Sequence, residues 1–156
     1  MTALTFGDVL TAQSAAPVAY VASGDGKTFT ATYSDYHVQI GDGSGTPTVM
    51  AARWEWFSVP VSTHQHSDPF TVTVSGSAST RSGPPGARAA LLISVDGEVD
   101  VTDFPAGTDA PFTRTVDAMT PGFQSELQIA VGVVLNGDLG FTAELTVDTV
   151  TGETAP

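Results

Sequence analysis

A chain of 156 residues without cysteine is long enough to bury a core unaided, and it excludes disulfide staples and thiolate metal sites. Seventeen acidic residues against five basic ones give a formal net charge of -12. Such a surface repels nucleic-acid phosphate and anionic membranes, so neither is expected as a partner.

Residues 1–17 stand apart. Leu4, Phe6, Val9 and Leu10 are apolar, and the run from Gln13 to Pro17 breaks any regular element. Asp8 is a candidate cap for one helical turn, but the segment reads better as an extended N-terminal arm whose apolar side chains need a neighbour to cover them. Met1 to Phe6 lacks the basic region and unbroken apolar stretch of a secretory leader, and no run approaches the ~20 apolar residues of a membrane span. The expectation is a protein made and used without the secretion pathway.

Strand signals follow at 18–22, 28–33 and 36–40, separated by Gly24-Asp25-Gly26 and Ser34-Asp35. The stretch from Gly41 to Gly45 is glycine-rich, but without a lysine or a following helix it is no phosphate loop. A long strand covers 48–61. Period two places Trp54 and Trp56 on one of its faces, with Glu55 and Phe57 on the other. Phe70, Val72 and Val74 alternate with Thr71, Thr73 and Ser75, and Ser79 to Gly86 reads as a loop. Residues 87–95 form an apolar strand that Asp96-Gly97 turns into 98–101. Loop residues 102–111 and a short strand at 112–116 come next.

From Phe123 to Leu135 the odd positions are apolar apart from Ser125, and the even ones read Gln, Glu, Gln, Ala, Gly, Val. The alternation resumes from Leu139 to Val147. A three-residue loop, Asn136 to Asp138, would join the two runs as a hairpin with Val133 opposite Phe141 and Ile129 opposite Leu145. Residues 151–156 read as a polar tail. About nine short strands with regularly spaced turns and no convincing helix indicate an all-β fold. The expected architecture is an antiparallel two-sheet sandwich, jelly-roll or Greek-key like, spanning 18–150 behind the arm. A closed barrel is the alternative.

Chemistry-bearing patterns are sparse. His64 and His66 sit at i, i+2, a spacing that could share a metal, against a plain reading as exposed loop histidines. Trp54 and Trp56 could form a platform for sugar rings beside carboxylates, or fill a core or subunit interface. Asp96, Glu98, Asp100 and Asp103 could offer oxygen ligands to calcium, but charge protection of an edge strand explains them as well. No Gly-x-Ser-x-Gly elbow is present, and nothing marks one carboxylate pair as acid and base. A non-enzymatic protein without a cofactor is expected.

Thr5-Phe6-Gly7-Asp8-Val9-Leu10-Thr11-Ala12-Gln13 resembles a segment that recurs at the start of tail-associated and other virion proteins of tailed phages. The aromatic-rich Tyr33 to Val38 run looks similar to its continuation, and the remainder resembles jelly-roll and carbohydrate-binding-module sandwiches in style. His64-Gln65-His66 is also similar to the His-x-His pair that trimeric phage spikes gather around an iron ion. The resemblance implies a capsid decoration or minor tail protein, located in the virion and made in the host cytoplasm. Leu4, Phe6, Val9 and Leu10 would attach it to capsid or tail partners. It would be a homo-oligomer, with a trimer as one form. The alternative is a lectin-like module that binds glycans through Trp54 and Trp56.

Overall fold

The computed structural model describes residues 4–14, 18–41, 50–62, 68–80, 88–105, 107–120, 125–137 and 142–155. They form β1 (Thr5–Phe6), β2 (Ala12–Gln13), β3 (Val18–Ala22), β4 (Thr28–Tyr33), β5 (His37–Ile40) and β6 (Met50–Ser62). After these come β7 (Asp68–Thr80), β8 (Arg88–Val95), β9 (Glu98–Phe104), β10 (Asp109–Thr120), β11 (Glu126–Asn136) and β12 (Ala143–Thr154). No helix occurs among the described residues.

The strands build two antiparallel sheets packed face to face. Sheet I runs β1-β6-β11-β8-β9, with β2 also on β6; sheet II runs β10-β7-β12-β4-β3, with β5 also on β12. The all-β sandwich is therefore the fold. Alternation supplies its core. Leu127, Ile129, Val131, Val133 and Leu135 of β11 are fully buried, and Phe70, Val72 and Val74 of β7 with Leu145, Val147 and Val150 of β12 belong to the same core. The turn between β8 and β9 has both central residues left-handed, Asp96 at φ 49° and Gly97 at φ 91°, the conformation that a two-residue hairpin requires.

The expected loop at 102–111 is mostly strand, since β9 runs to Phe104 and β10 begins at Asp109 and continues past 116 to Thr120. Three further expectations are corrected. The closing hairpin does not form: β11 pairs with β6 and β8, whereas β12 pairs with β7, β4 and β5 in the other sheet. Period two says that a strand has one buried face and is silent about which strand lies beside it. The expected polar tail is also strand, because β12 continues through Thr154, and Thr154 N–H donates to the Lys27 carbonyl at 3.0 Å.

Third, the N-terminal segment does not project as an arm. β1 pairs with the end of β6, and Leu4 and Phe6 are 1% and 3% exposed within the chain's own core. Phe6 makes edge contacts with Phe29 at 4.9 Å and Phe70 at 6.3 Å between ring centres, so it wedges between the two sheets. Backbone bonds secure it: Phe6 N–H to the Gly26 carbonyl and Gly7 N–H to the Pro60 carbonyl, both 2.7 Å. A greasy leader needs cover, and here its own sandwich provides it. Val9 stays 73% exposed, and Leu10 is half-buried against the core edge.

Candidate functional site

The outward faces of the two sheets differ in chemistry. Sheet II presents hydroxyls. Thr115, Thr73, Thr151 and Thr30 align across β10, β7, β12 and β4, and Thr113, Ser75, Thr149 and Thr32 form the next row. Thr73 and Thr115 hydrogen-bond through their hydroxyls at 2.9 Å. β-Branched residues with a hydroxyl suit a solvated strand face, so nothing here asks for a ligand.

Sheet I presents carbon. Its register aligns Trp54, Gly132, Leu92 and Val101 across β6, β11, β8 and β9. The adjoining row reads Trp56, Ala130, Ser94, Val99, and the one beyond Trp54 reads Ala52, Val134, Ala90, Asp103. Trp54, Val99 and Val101 are 45%, 53% and 44% exposed, a contiguous apolar surface of the kind that marks a binding face.

Gly132 sets the pose of Trp54. A Cβ built on Gly132 would lie 2.7–2.8 Å from Cε2, Cδ2 and Cζ2 of the indole. Three ring atoms at nearly equal distance mean that the ring lies flat over the glycine. Any larger residue there would lift it. One indole face is thus spent on the sheet, and the opposite face is turned to solvent.

The strand under the tryptophans is anchored from its inner face and its edge. Glu55 is buried; it accepts from Arg53 Nε at 2.9 Å and from the Ser14 hydroxyl. Ser14 beside β2 also brackets Trp56, donating its N–H to the Trp56 carbonyl at 2.8 Å and accepting from the Trp56 N–H at 3.0 Å. The Arg53 guanidinium lies 4.7 Å above the Tyr36 ring and donates to the Asp35 carbonyl at 3.0 Å. Burial pushes the phenols of Tyr33 and Tyr36 well above the ordinary tyrosine range. Polar groups rim the apolar strip. Arg88 pairs with Asp103 at 2.6 Å on one side, and the Thr11 hydroxyl donates to Glu126 at 2.9 Å on the other.

Sequence reasoning singled out Trp54 and Trp56 but missed Leu92, Val99, Val101, Ala130, Gly132 and Val134, which complete the face. A signal existed. The even positions of β11 change from Gln and Glu to Ala, Gly and Val at residue 130, so the outward face turns apolar there. Of the attachment residues, Leu4 and Phe6 are in the core and only Val9 is broadly exposed. His64 and His66 lie outside the described residues.

The carboxylates after β8 take separate roles. Asp96 is in the turn and accepts from the Gln128 N–H at 3.0 Å. Asp100 pairs with Arg114 at 3.0 Å across the gap between the sheets, and Asp103 holds Arg88. β9 is the edge of sheet I, so these charges also guard an open edge. Among the described residues, no group of three or more His, Cys, Asp or Glu is placed to hold a metal. Near the same turn, a cleft of about 850 Å³ lies at one end of the sandwich; its apolar lining includes Phe70, Val95 and Met119, and Glu98, Asp117 and Glu153 also line it.

No family model matches this sequence, and no curated protein matches it. Among solved structures, the chain is similar in fold to a carbohydrate binding module from Cellvibrio mixtus lichenase 5A in complex with cellotriose. That match has 12% identity and a TM-score of 0.37, covering 99% of this chain and 98% of that one. It is similar to a family 35 carbohydrate binding module from Clostridium thermocellum at 14% identity and a TM-score of 0.36, covering 90% and 100%. A third similar structure is the enzymatically active domain of bacteriophage CBA120 tailspike protein 4. It shows 14% identity and a TM-score of 0.38, with 98% of this chain on 19% of that one. These likenesses leave the reading of the site to its own residues.

Proposed function

We propose that this protein is a carbohydrate-binding module whose ligand lies on the outer face of sheet I, stacked on Trp54 and Trp56. The observation that carries this reading is the flat pose of Trp54 on Gly132, with its free face outward in an apolar strip rimmed by hydrogen-bonding groups. A pyranose ring has an apolar face of C–H groups and an equatorial rim of hydroxyls. An indole lying in the plane of a sheet matches the first, and a polar border matches the second. The hydroxyl-covered outer face of sheet II offers no such floor.

The arrangement needs no general acid, base or nucleophile, since it recognises rather than transforms. It also supersedes attachment through the leader, because two of the four residues expected to grip a neighbour are consumed by the core.

Trp54→Ala tests the reading. Stacking of one indole face contributes on the order of 1–2 kcal/mol, so affinity for a polysaccharide ligand should fall roughly 5–30-fold. Because one indole face packs on Gly132 and the other is open, the variant should lose only on the order of 1–2 kcal/mol of stability and remain folded. A large loss of stability with unaltered binding would instead make Trp54 a structural residue. Gly132→Ala is the companion variant: it leaves Trp54 in place chemically but lifts the ring, and should weaken binding in the same direction.

A further inference from the structure

We infer that the platform takes internal stretches of an uncharged, extended polysaccharide and rejects polysaccharides that carry carboxylates or sulfates; this rests on the carbohydrate reading above and narrows its ligand class. The first observation is where the cations are. A carboxylate or sulfate is bound most strongly by a guanidinium or ammonium with donors to spare. The described basic side chains are Lys27, Arg53, Arg88 and Arg114. Arg53 is held by Glu55 at 2.9 Å, Arg88 by Asp103 at 2.6 Å and Arg114 by Asp100 at 3.0 Å. Lys27 sits in the turn before β4 of the other sheet, beside Asp25. The fifth, Arg81, lies outside the described residues.

The second observation is the charge around the strip. The rows through Trp54 and Trp56 contain no ionisable group; the acids Asp103 and Asp96 stand one row beyond them on either side, and Glu126 a row further out. A chain of net charge -12 adds a repulsive field against any polyanion, screened beyond about 8–10 Å at physiological salt.

The third is shape. β11, in the middle of the face, offers only Ala130, Gly132 and Val134 outward along the strip, so the floor is low from Trp54 to Val101. That distance is three strand spacings, roughly 14 Å. The side chains that β8 and β9 add to the two tryptophan rows are short: Leu92, Ser94, Val99 and Val101. A floor of this length suits several successive sugar rings of a polymer better than one terminal ring.

Affinity electrophoresis of the full chain separates the outcomes, using gels cast with a neutral β-glucan, a neutral galactomannan, polygalacturonate or alginate, all with a chelator present. Retardation by at least one neutral polymer, at least fivefold weaker in Trp54→Ala, and none by the two polyuronates is the expected result. Oligosaccharides of the retarding polymer should compete whether or not their reducing ends are reduced. Retardation by polygalacturonate or alginate that depends on Trp54 would overturn the inference while the carbohydrate reading stands, and its loss in Arg81→Ala would identify the cation responsible. No retardation by any of the four, or retardation unaltered in Trp54→Ala, would overturn both.

Discussion

Phe6→Ala distinguishes a leader that belongs to the core from one that waits for a partner. The ring is 3% exposed and packs edge-on against Phe29 and Phe70, while Phe29 in turn meets Phe57 at 6.2 Å. Truncation removes the buried ring and leaves a cavity at the junction of the sheets. Such changes cost about 3–5 kcal/mol, a large fraction of the roughly 5–15 kcal/mol that holds a domain together. Some relief is expected because Phe6 lies near the chain end, where the backbone can collapse toward the gap, so the lower part of that range is the better figure. In urea the midpoint should fall with an unchanged slope, and thermal unfolding should come roughly 6–12 °C earlier. Val9→Ala, at a 73% exposed site in the same segment, should leave both measurements where they were. Deleting residues 1–14 should destabilise at least as much as Phe6→Ala. A Phe6→Ala protein within about 0.5 kcal/mol of the parent would refute the placement of the leader and return it to the surface.

Two further predictions concern buried polar groups. Arg53→Met leaves the Glu55 carboxylate, 7% exposed, without its guanidinium, and should cost on the order of 3 kcal/mol in urea unfolding; Arg88→Met, at an exposed pair, should not move the midpoint measurably. The Tyr20 phenol donates to the Gly7 carbonyl at 2.8 Å, and burial, then the nearby Asp8 charge, push its pKa up to about 12. The folded state thus keeps a proton that the unfolded chain releases near pH 10. Tyr20 stabilises fully below that pH, and the contribution is lost as pH rises through about 12. Stability measured against pH should decline above pH 10 less steeply in Tyr20→Phe, and an identical slope in the two proteins would contradict the burial of that phenol.

The corrected hairpin shows where sequence reasoning stops. Alternation in β11 and β12 correctly gave two strands, each with one buried face, yet the partners lie in different sheets. Their apolar faces meet across the core instead of side by side. A periodic pattern encodes which side of a strand avoids water, and that requirement is met equally by either geometry. The leader repeats the lesson, since Leu4 and Phe6 would be satisfied by any apolar cover. The Asp96-Gly97 hairpin was legible because its turn chemistry is local. The candidate site was half legible: two tryptophans at i, i+2 share a face by geometry alone, but Leu92 and Val101 join them only through the ladders that place β8 and β9 beyond β11.

Local rules therefore determined most of the strand content, the inner and outer face of the longer strands, the Asp96-Gly97 turn and the acidic character of the chain, because each depends on neighbours a few residues apart. The tertiary structure decided the rest. It assigned strands to sheets, closed the core with the chain's own first residues, and laid Trp54 flat by setting a glycine opposite it. Those outcomes depend on contacts between segments distant in sequence, whose energies are settled only when both faces of the sandwich compete for the same water-free space.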